Sequence, residues 1–256
     1  MELKHEEAGS GYPLVLIHGF PHNRSLWAGQ LFGLSDRCRV IAPDLRGFGK
    51  SPGAPPWSME SYADDIAELM ERLSIEKAVI GGLSMGGYIL FEFLRRYPER
   101  VHSVILADTR SGADNDETKT KRRALQEVAR TRGATAVADA QITGMVGATT
   151  RATHPEIVRQ VHSMLASAPV EGIVGALEAM MNRPDSADTL LEIDVPVLIV
   201  VGEEDALTPV KESQSMHAAI PGSTLAVIPD AGHVSNIEHP QEFNSALRNF
   251  LASVGH

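Results

Sequence analysis

Ala78-Val79-Ile80-Gly81-Gly82-Leu83-Ser84-Met85-Gly86-Gly87-Tyr88-Ile89-Leu90-Phe91 is the stretch on which the fold turns. Its opening apolar run, Ala78 to Ile80, reads as a strand, and Tyr88 to Tyr97 has the spacing of a helix. Between them lies the pattern Gly82-Leu83-Ser84-Met85-Gly86, a serine flanked by residues without bulk at a strand-to-helix turn. A nucleophilic serine needs such a place. It must stand at the apex of a sharp, strained turn, and glycines at its flanks let the strand and helix pack close enough to hold it there.

Working outward, short runs rich in β-branched residues recur at Leu14 to His18, Arg39 to Pro43, Val104 to Ala107, Val197 to Val201 and Leu225 to Ile228. Most are continuously apolar, as strands covered on both faces are. Helical segments alternate with them. Ser58 is placed to cap a helix burying Met59, Tyr62, Ile66, Leu69, Met70 and Leu73, and Pro240 suits the first turn of a last helix burying Phe243, Leu247, Phe250, Leu251 and Val254. Alternation of this kind predicts an α/β fold, a mostly parallel sheet with helices on both faces. It breaks from about Thr109 to Leu191, where helical segments punctuated by Gly133, Gly144, Gly147, Pro155, Pro169 and Pro184 predict a helical insertion.

Composition narrows the function classes. The 256 residues carry 23 basic and 33 acidic side chains, a net charge of −10, so the overall field repels phosphate backbones and anionic membranes. Lys119, Lys121, Arg122 and Arg123 stand among Asp114, Asp116 and Glu117 with no aromatic partner, which reads as a solvated helix face and not a nucleic-acid patch. Cys38 is the single cysteine, which excludes an intrachain disulfide and fits a reducing compartment. The charged opening Met1 to Glu7 lacks a secretory apolar region, and no apolar run approaches the roughly 18 to 20 residues of a membrane helix. A cytoplasmic protein with no membrane and no nucleic-acid partner is the expectation.

A serine hydroxyl is a weak nucleophile at neutral pH, so Ser84 calls for a general base and a group that orients the base. Chain order selects them. Asp205 follows the strand Val197 to Val201, and His233 follows the last strand after Ala231-Gly232, which gives the order Ser, Asp, His of sheet-based triads. His22, His102, His154, His162, His217 and His239 are placed on helix or loop surfaces instead. Asp108, at the end of the strand Val104 to Ala107, is the rival acid, while Glu203 and Glu204 read as solvated neighbours. No His-Glu-x-x-His, paired cysteines or clustered carboxylates occur, so neither metal nor cofactor is implied. Gly49-Lys50-Ser51 mimics the end of a phosphate-binding loop, but the position of that motif's first glycine is Asp44, which with Arg46 is expected to form an ion pair or turn at the site's rim.

These motifs resemble the α/β-hydrolase superfamily, and within it the small capped bacterial esterases and enol-lactonase-like hydrolases. The resemblance adds His18-Gly19-Phe20-Pro21, Asp44-Leu45-Arg46-Gly47-Phe48-Gly49-Lys50-Ser51, Gly202-Glu203-Glu204-Asp205 with Thr208-Pro209, and Gly232-His233 with Glu238-His239-Pro240. It spans roughly Pro13 to Thr109 and Leu190 to Val254. Residues 1–109 and 190–256 are thereby expected to form the hydrolase core, and 110–189 a helical cap. The family opens on a longer hairpin, so the first strand here is expected to be short or missing.

The resemblance also implies an oxyanion hole from the backbone N–H groups of Phe20 and Met85, with His18 holding the loop beneath the site. The expected activity is hydrolysis of small to medium carboxylic esters through an acyl-enzyme, with a small-molecule ester or lactone as partner. Lactonase, carbon–carbon bond hydrolase and cofactor-free perhydrolase activities keep the same three residues. Haloalkane dehalogenases and epoxide hydrolases of this fold carry Asp where Ser84 stands. A non-enzymatic small-ligand receptor is the alternative from another class. Within the cap, Met145, Val146, Met164, Leu165, Ile173, Leu177, Met180 and Met181 are the apolar candidates for lining the pocket.

Overall fold

A computed structural model describes residues 1–255. Seven strands form one sheet: β1 (His5–Ala8), β2 (Pro13–Ile17), β3 (Arg39–Pro43), β4 (Ala78–Leu83), β5 (Val101–Ala107), β6 (Val197–Gly202) and β7 (Thr224–Ile228). Their order is β1-β3-β2-β4-β5-β6-β7, antiparallel between β1 and β3 and parallel elsewhere. The first strand is therefore present but only four residues long, pairing His5 with Pro43 through Ala8 with Val40. β5 begins at Val101, three residues before the predicted start.

The helices are α1 (Ala28–Gly33), α2 (Met59–Arg72), α3 (Met85–Arg96), α4 (Asp116–Met145), α5 (Ala148–Thr153), α6 (Pro155–Ala166), α7 (Val170–Asn182), α8 (Ala187–Glu192), α9 (Val210–Ala219), α10 (Ser235–Glu238) and α11 (Pro240–Ser253). Ser58 caps α2 by accepting from the Ser61 N–H, and Pro240 opens α11. Continuous apolar strands arise because both sheet faces are covered. Val15, Ile17, Ile80, Val104 and Leu106 pack with Tyr62, Ile66 and Met70 of α2 and Ile89 of α3. The alternate residues Leu14, Leu16, Val79, Ile105 and Val200 pack with Leu31 of α1 and with Phe243 and Leu247 of α11. The period-2 alternation of side chains divides one apolar run between two cores.

α4 to α8 all fall between β5 and β6. The boundary drawn at 189/190 lies inside α8. α4 packs against both α6 and α7, and it is kinked at Gly133, whose φ of 78° no other residue type adopts cheaply. Among the described residues no single helix is long and apolar enough to cross a membrane.

Candidate active site

Ser84 follows β4 as the N-cap of α3, with φ 55° and ψ −114°. A non-glycine residue at positive φ is strained by about 1 to 3 kcal/mol and persists only where its surroundings over-determine it. Here they do. The Ser84 N–H donates to the Ala107 carbonyl at 2.9 Å, and the Thr109 hydroxyl donates to the Ser84 carbonyl at 2.8 Å. The flanking glycines are forced by close approach. A Cβ on Gly82 would sit 2.3 Å from the Gly86 carbonyl carbon, and one on Gly86 would sit 2.3 Å from the Ile17 carbonyl oxygen.

The turn aims Ser84 at His233. Ser84 Oγ lies 2.8 Å from His233 Nε2, and His233 Nδ1 lies 2.8 Å from Asp205 Oδ2. Three residues 28 to 149 positions apart in sequence thus form one hydrogen-bonded chain. Asp205 is itself held: Leu207 N–H and Thr208 N–H donate to Oδ1 at 2.8 and 2.9 Å, and the Thr208 hydroxyl donates to Oδ2 at 2.6 Å. Burial alone would raise its carboxyl, but the facing His233 and the His233 and Thr208 hydrogen bonds outweigh burial and hold it below the usual carboxylate range. Burial alone would likewise lower His233, yet the Asp205 charge and hydrogen bond carry it above its ordinary value.

Asp108 is fully buried nearby and has other partners. The Gly202 N–H donates to its Oδ1 at 2.8 Å and the Ser235 hydroxyl to its Oδ2 at 2.6 Å. Burial, reinforced by the neighbouring Asp205, pushes the Asp108 carboxyl well up.

Phe20 lines the same cavity as Ser84, and Met85 follows Ser84 in the chain. Met85 is the first residue of α3, where N–H groups have no intrahelical acceptor, and Phe20 follows Gly19, on which a Cβ would approach Ser84 Cβ to 3.2 Å. His18 holds this loop from beneath. Its Nε2 accepts from the Leu45 N–H at 3.0 Å, and its Nδ1 lies 2.8 Å from the Gly19 carbonyl, with burial lowering its pKa to about 4.

Four sequence readings are corrected. His22 is buried, not on a loop surface, and burial lowers its pKa to about 3. Of the ion pair or turn expected of Asp44 and Arg46, the turn is present, with the Lys50 N–H donating to Asp44 Oδ2 at 2.8 Å, and the ion pair is not. Asp44 pairs with Arg24, and Arg46 with Asp65 at 2.6 Å, because the side chains of neighbouring turn residues diverge. Glu204 is not a free solvated side chain: it accepts from Thr149 N–H at 2.8 Å and Thr149 Oγ1 at 2.6 Å, tying the start of α5 to the loop after β6. Lys121 and Arg122 are not confined to a solvated helix face, since both line the cavity at Ser84.

That cavity, of about 520 Å³, is bounded by Phe20, Ser84, His233, Tyr88, Leu207 and Thr208, and by residues of α4 and α7. Of the predicted apolar candidates Met145 and Met180 line it. Leu165, Ile173 and Leu177 are fully buried in the packing of the helices. Leu125 and Val128 take their place, on a helix whose polar opening gave no apolar signal. Among the described residues no group of three His, Cys, Asp or Glu side chains is placed to hold a metal ion.

The pattern that defines the α/β hydrolase fold matches residues 12–240. A 3-oxoadipate enol-lactonase from Acinetobacter baylyi is 32% identical over 235 residues, covering 91% of this chain and 86% of its own. A pimeloyl-[acyl-carrier protein] methyl ester esterase from Neisseria meningitidis is 29% identical over 259 residues, 94% of this chain and 77% of its own. Among solved structures, a thermophilic esterase from Thermogutta terrifontis, with malate bound, superposes with a TM-score of 0.96 at 42% identity, covering 99% of this chain and 94% of its own.

Proposed function

The chain belongs to the α/β-hydrolase fold family, and from that premise we propose that it is a carboxylesterase working through Ser84, His233 and Asp205. The observation that carries this reading is the continuous hydrogen-bonded line from Ser84 Oγ through His233 to Asp205, at the edge of a cavity. His233 Nε2 takes the Ser84 proton as Oγ attacks the ester carbonyl carbon. The developing oxyanion is met by the N–H groups of Phe20 and Met85. Collapse of the tetrahedral intermediate breaks the bond to the alkoxy oxygen, which leaves with the proton from His233 as the alcohol. Water, deprotonated by His233, then attacks the acyl-enzyme and the acid departs, restoring the Ser84 hydroxyl. Asp205 holds the imidazole tautomer and stabilises the imidazolium formed in each half.

In this reading residues 110–189 act as a cap, supported by the α4 and α7 side chains that bound the cavity with Ser84. A lactone is the second substrate class, favoured by the 32% identity to an enol-lactonase and requiring only that alcohol and acid remain joined in the product. The test is rapid mixing with p-nitrophenyl butyrate. A burst of nitrophenol equal to the enzyme concentration is expected, with turnover reduced by about four to six orders of magnitude in Ser84→Ala and in His233→Ala. A tenth of the activity surviving in either variant overturns the assignment, and a parallel panel of lactones ranks the two classes.

A further inference from the structure

One part of the cavity wall is cationic. Arg110, Lys121 and Arg122 line it, and among the described residues no carboxylate does, although the chain as a whole carries a net charge of −10. The local cause is Asp114. Its side chain is wholly buried and accepts from Arg110 Nη2 at 2.9 Å, from Arg183 Nη1 at 2.7 Å and from Arg122. Three guanidinium groups share one carboxylate.

Arg183 is committed to structure. It is buried, lies over the Tyr88 ring at 4.0 Å, and donates also to the Met180 and Gly112 carbonyls at 2.7 Å each. Arg183 donates only to Oδ1 of Asp114, as does Arg110, and Arg122 supplies the donor to Oδ2. Arg110 and Arg122 remain 24% and 17% exposed and border the cavity, so the positive charge in excess of Asp114 is presented there. Lys121 adds a further cation; its pairing with Glu117 is exposed on both sides and holds it weakly.

The opposite character lies further along the same helix. Thr118, Lys121, Arg122, Leu125 and Val128 of α4 recur at three- and four-residue spacing, polar and cationic first and apolar after, over about 15 Å of helix. A ligand matched to this wall has an apolar body and an anionic end. The Nε and Nη2 edge of Arg122 is taken by Asp114, so a ligand carboxylate is met by the remaining guanidinium N–H groups of Arg110 and Arg122 and by the Lys121 ammonium.

We propose that the cavity selects esters or lactones bearing a second, free carboxylate, which Arg110, Lys121 and Arg122 hold while the scissile carbonyl lies at Ser84. The proposal rests on the serine-hydrolase reading above. The discriminating pair is monomethyl glutarate and methyl pentanoate, which present the same ester on chains of similar length and differ in whether a carboxylate or a methyl group ends the chain. The hemiester is expected to have the higher kcat/KM by about tenfold or more, a difference worth about 1.4 kcal/mol per decade. That ratio should fall by about tenfold in Arg122→Gln and in Lys121→Gln and recover in part in Arg122→Lys. Because each ratio is taken within one preparation, loss of folded protein cancels. A ratio at or below one in the native protein, or one unmoved in both glutamine variants, overturns the carboxylate subsite while turnover of methyl pentanoate leaves the hydrolase reading standing. Failure to turn over either ester, with no labelling of Ser84 by a fluorophosphonate, overturns both.

Discussion

Asp205 and Asp108 follow neighbouring strands and are both buried beside His233, and their hydrogen bonds separate them. Asp205 faces His233 Nδ1, whereas the two oxygens of Asp108 are taken by Gly202 and Ser235. On the proposed roles, Asp205→Asn should cut kcat/KM by up to about four orders of magnitude with the fold intact, because the amide misorients the imidazole. Asp108→Asn should stay within about tenfold of the native protein, since an amide can still accept from Gly202 and donate to Ser235. Kinetics at equal folded concentration check both. As a base His233 must be neutral, and Asp205 holds its pKa above the ordinary 6.5. The acid limb of kcat/KM should therefore have its midpoint above 6.5 and move down in Asp205→Asn. The sign for stability follows from the two shifts: the pair stabilises the fold fully between the ordinary carboxylate range and 6.5, and that contribution fades as pH rises through the raised His233 pKa or falls through the lowered Asp205 pKa.

Between elements, two joints hold the site together. Glu238 ends α10 and is buried, its carboxylate accepting from Gly232 N–H at 2.9 Å, next to His233, and from Gly147 N–H at 2.8 Å, at the start of α5. One side chain thus links the His233 loop to the segment between β5 and β6. Glu238→Ala leaves both N–H groups without their acceptor at a cost of about 1 to 3 kcal/mol each. A melting temperature lower by about 5 to 15 °C and a reduced kcat are expected, read by thermal unfolding and steady-state kinetics. The second joint is Gly133, where α4 changes direction so that Thr118 to Val128 and Gln141 to Met145 border one cavity. A Cβ at Gly133 meets nothing within 4 Å, so Gly133→Ala costs only its backbone strain. Stability should fall by about 1 to 2 kcal/mol, with KM changed more than kcat.

For the molecule as a whole, cavity size and surface character bear on substrate length. A cavity of about 520 Å³ lies in the range that takes a compact small molecule. Among the described residues the five exposed large apolar side chains, Phe32, Val170, Leu191, Leu207 and Val227, are spread over α1, α7, α8, the loop after β6, and β7, and Leu207 borders the cavity. Across p-nitrophenyl esters of two to twelve carbons, acyl chains of at most about eight carbons should exceed the longest by about tenfold in kcat/KM. Preference for emulsified long-chain triglyceride would contradict this.

The amino-acid sequence by itself determined the alternation of strands and helices, the turn at Ser84 and the chain order of Ser84, Asp205 and His233. Those features are local: an apolar run of strand length, glycines where no Cβ fits, and polar residues immediately after strands are legible without knowing what packs against them. The short β1 was foreseen only as a possibility, because four residues at a sheet edge carry almost no periodicity. Tertiary structure alone decided that Asp108 bonds to Gly202 and Ser235, that His22 is buried, and that Arg24 and Asp65 take the places expected of Arg46 and Asp44 as partners. It alone turned Lys121 and Arg122 toward the cavity and buried Leu165, Ile173 and Leu177 away from it. Helical spacing tells which residues share a face but not what that face meets. That depends on the kink at Gly133 and on contacts between residues tens to hundreds of positions apart, such as Asp114 with Arg183 and Gly147 with Glu238.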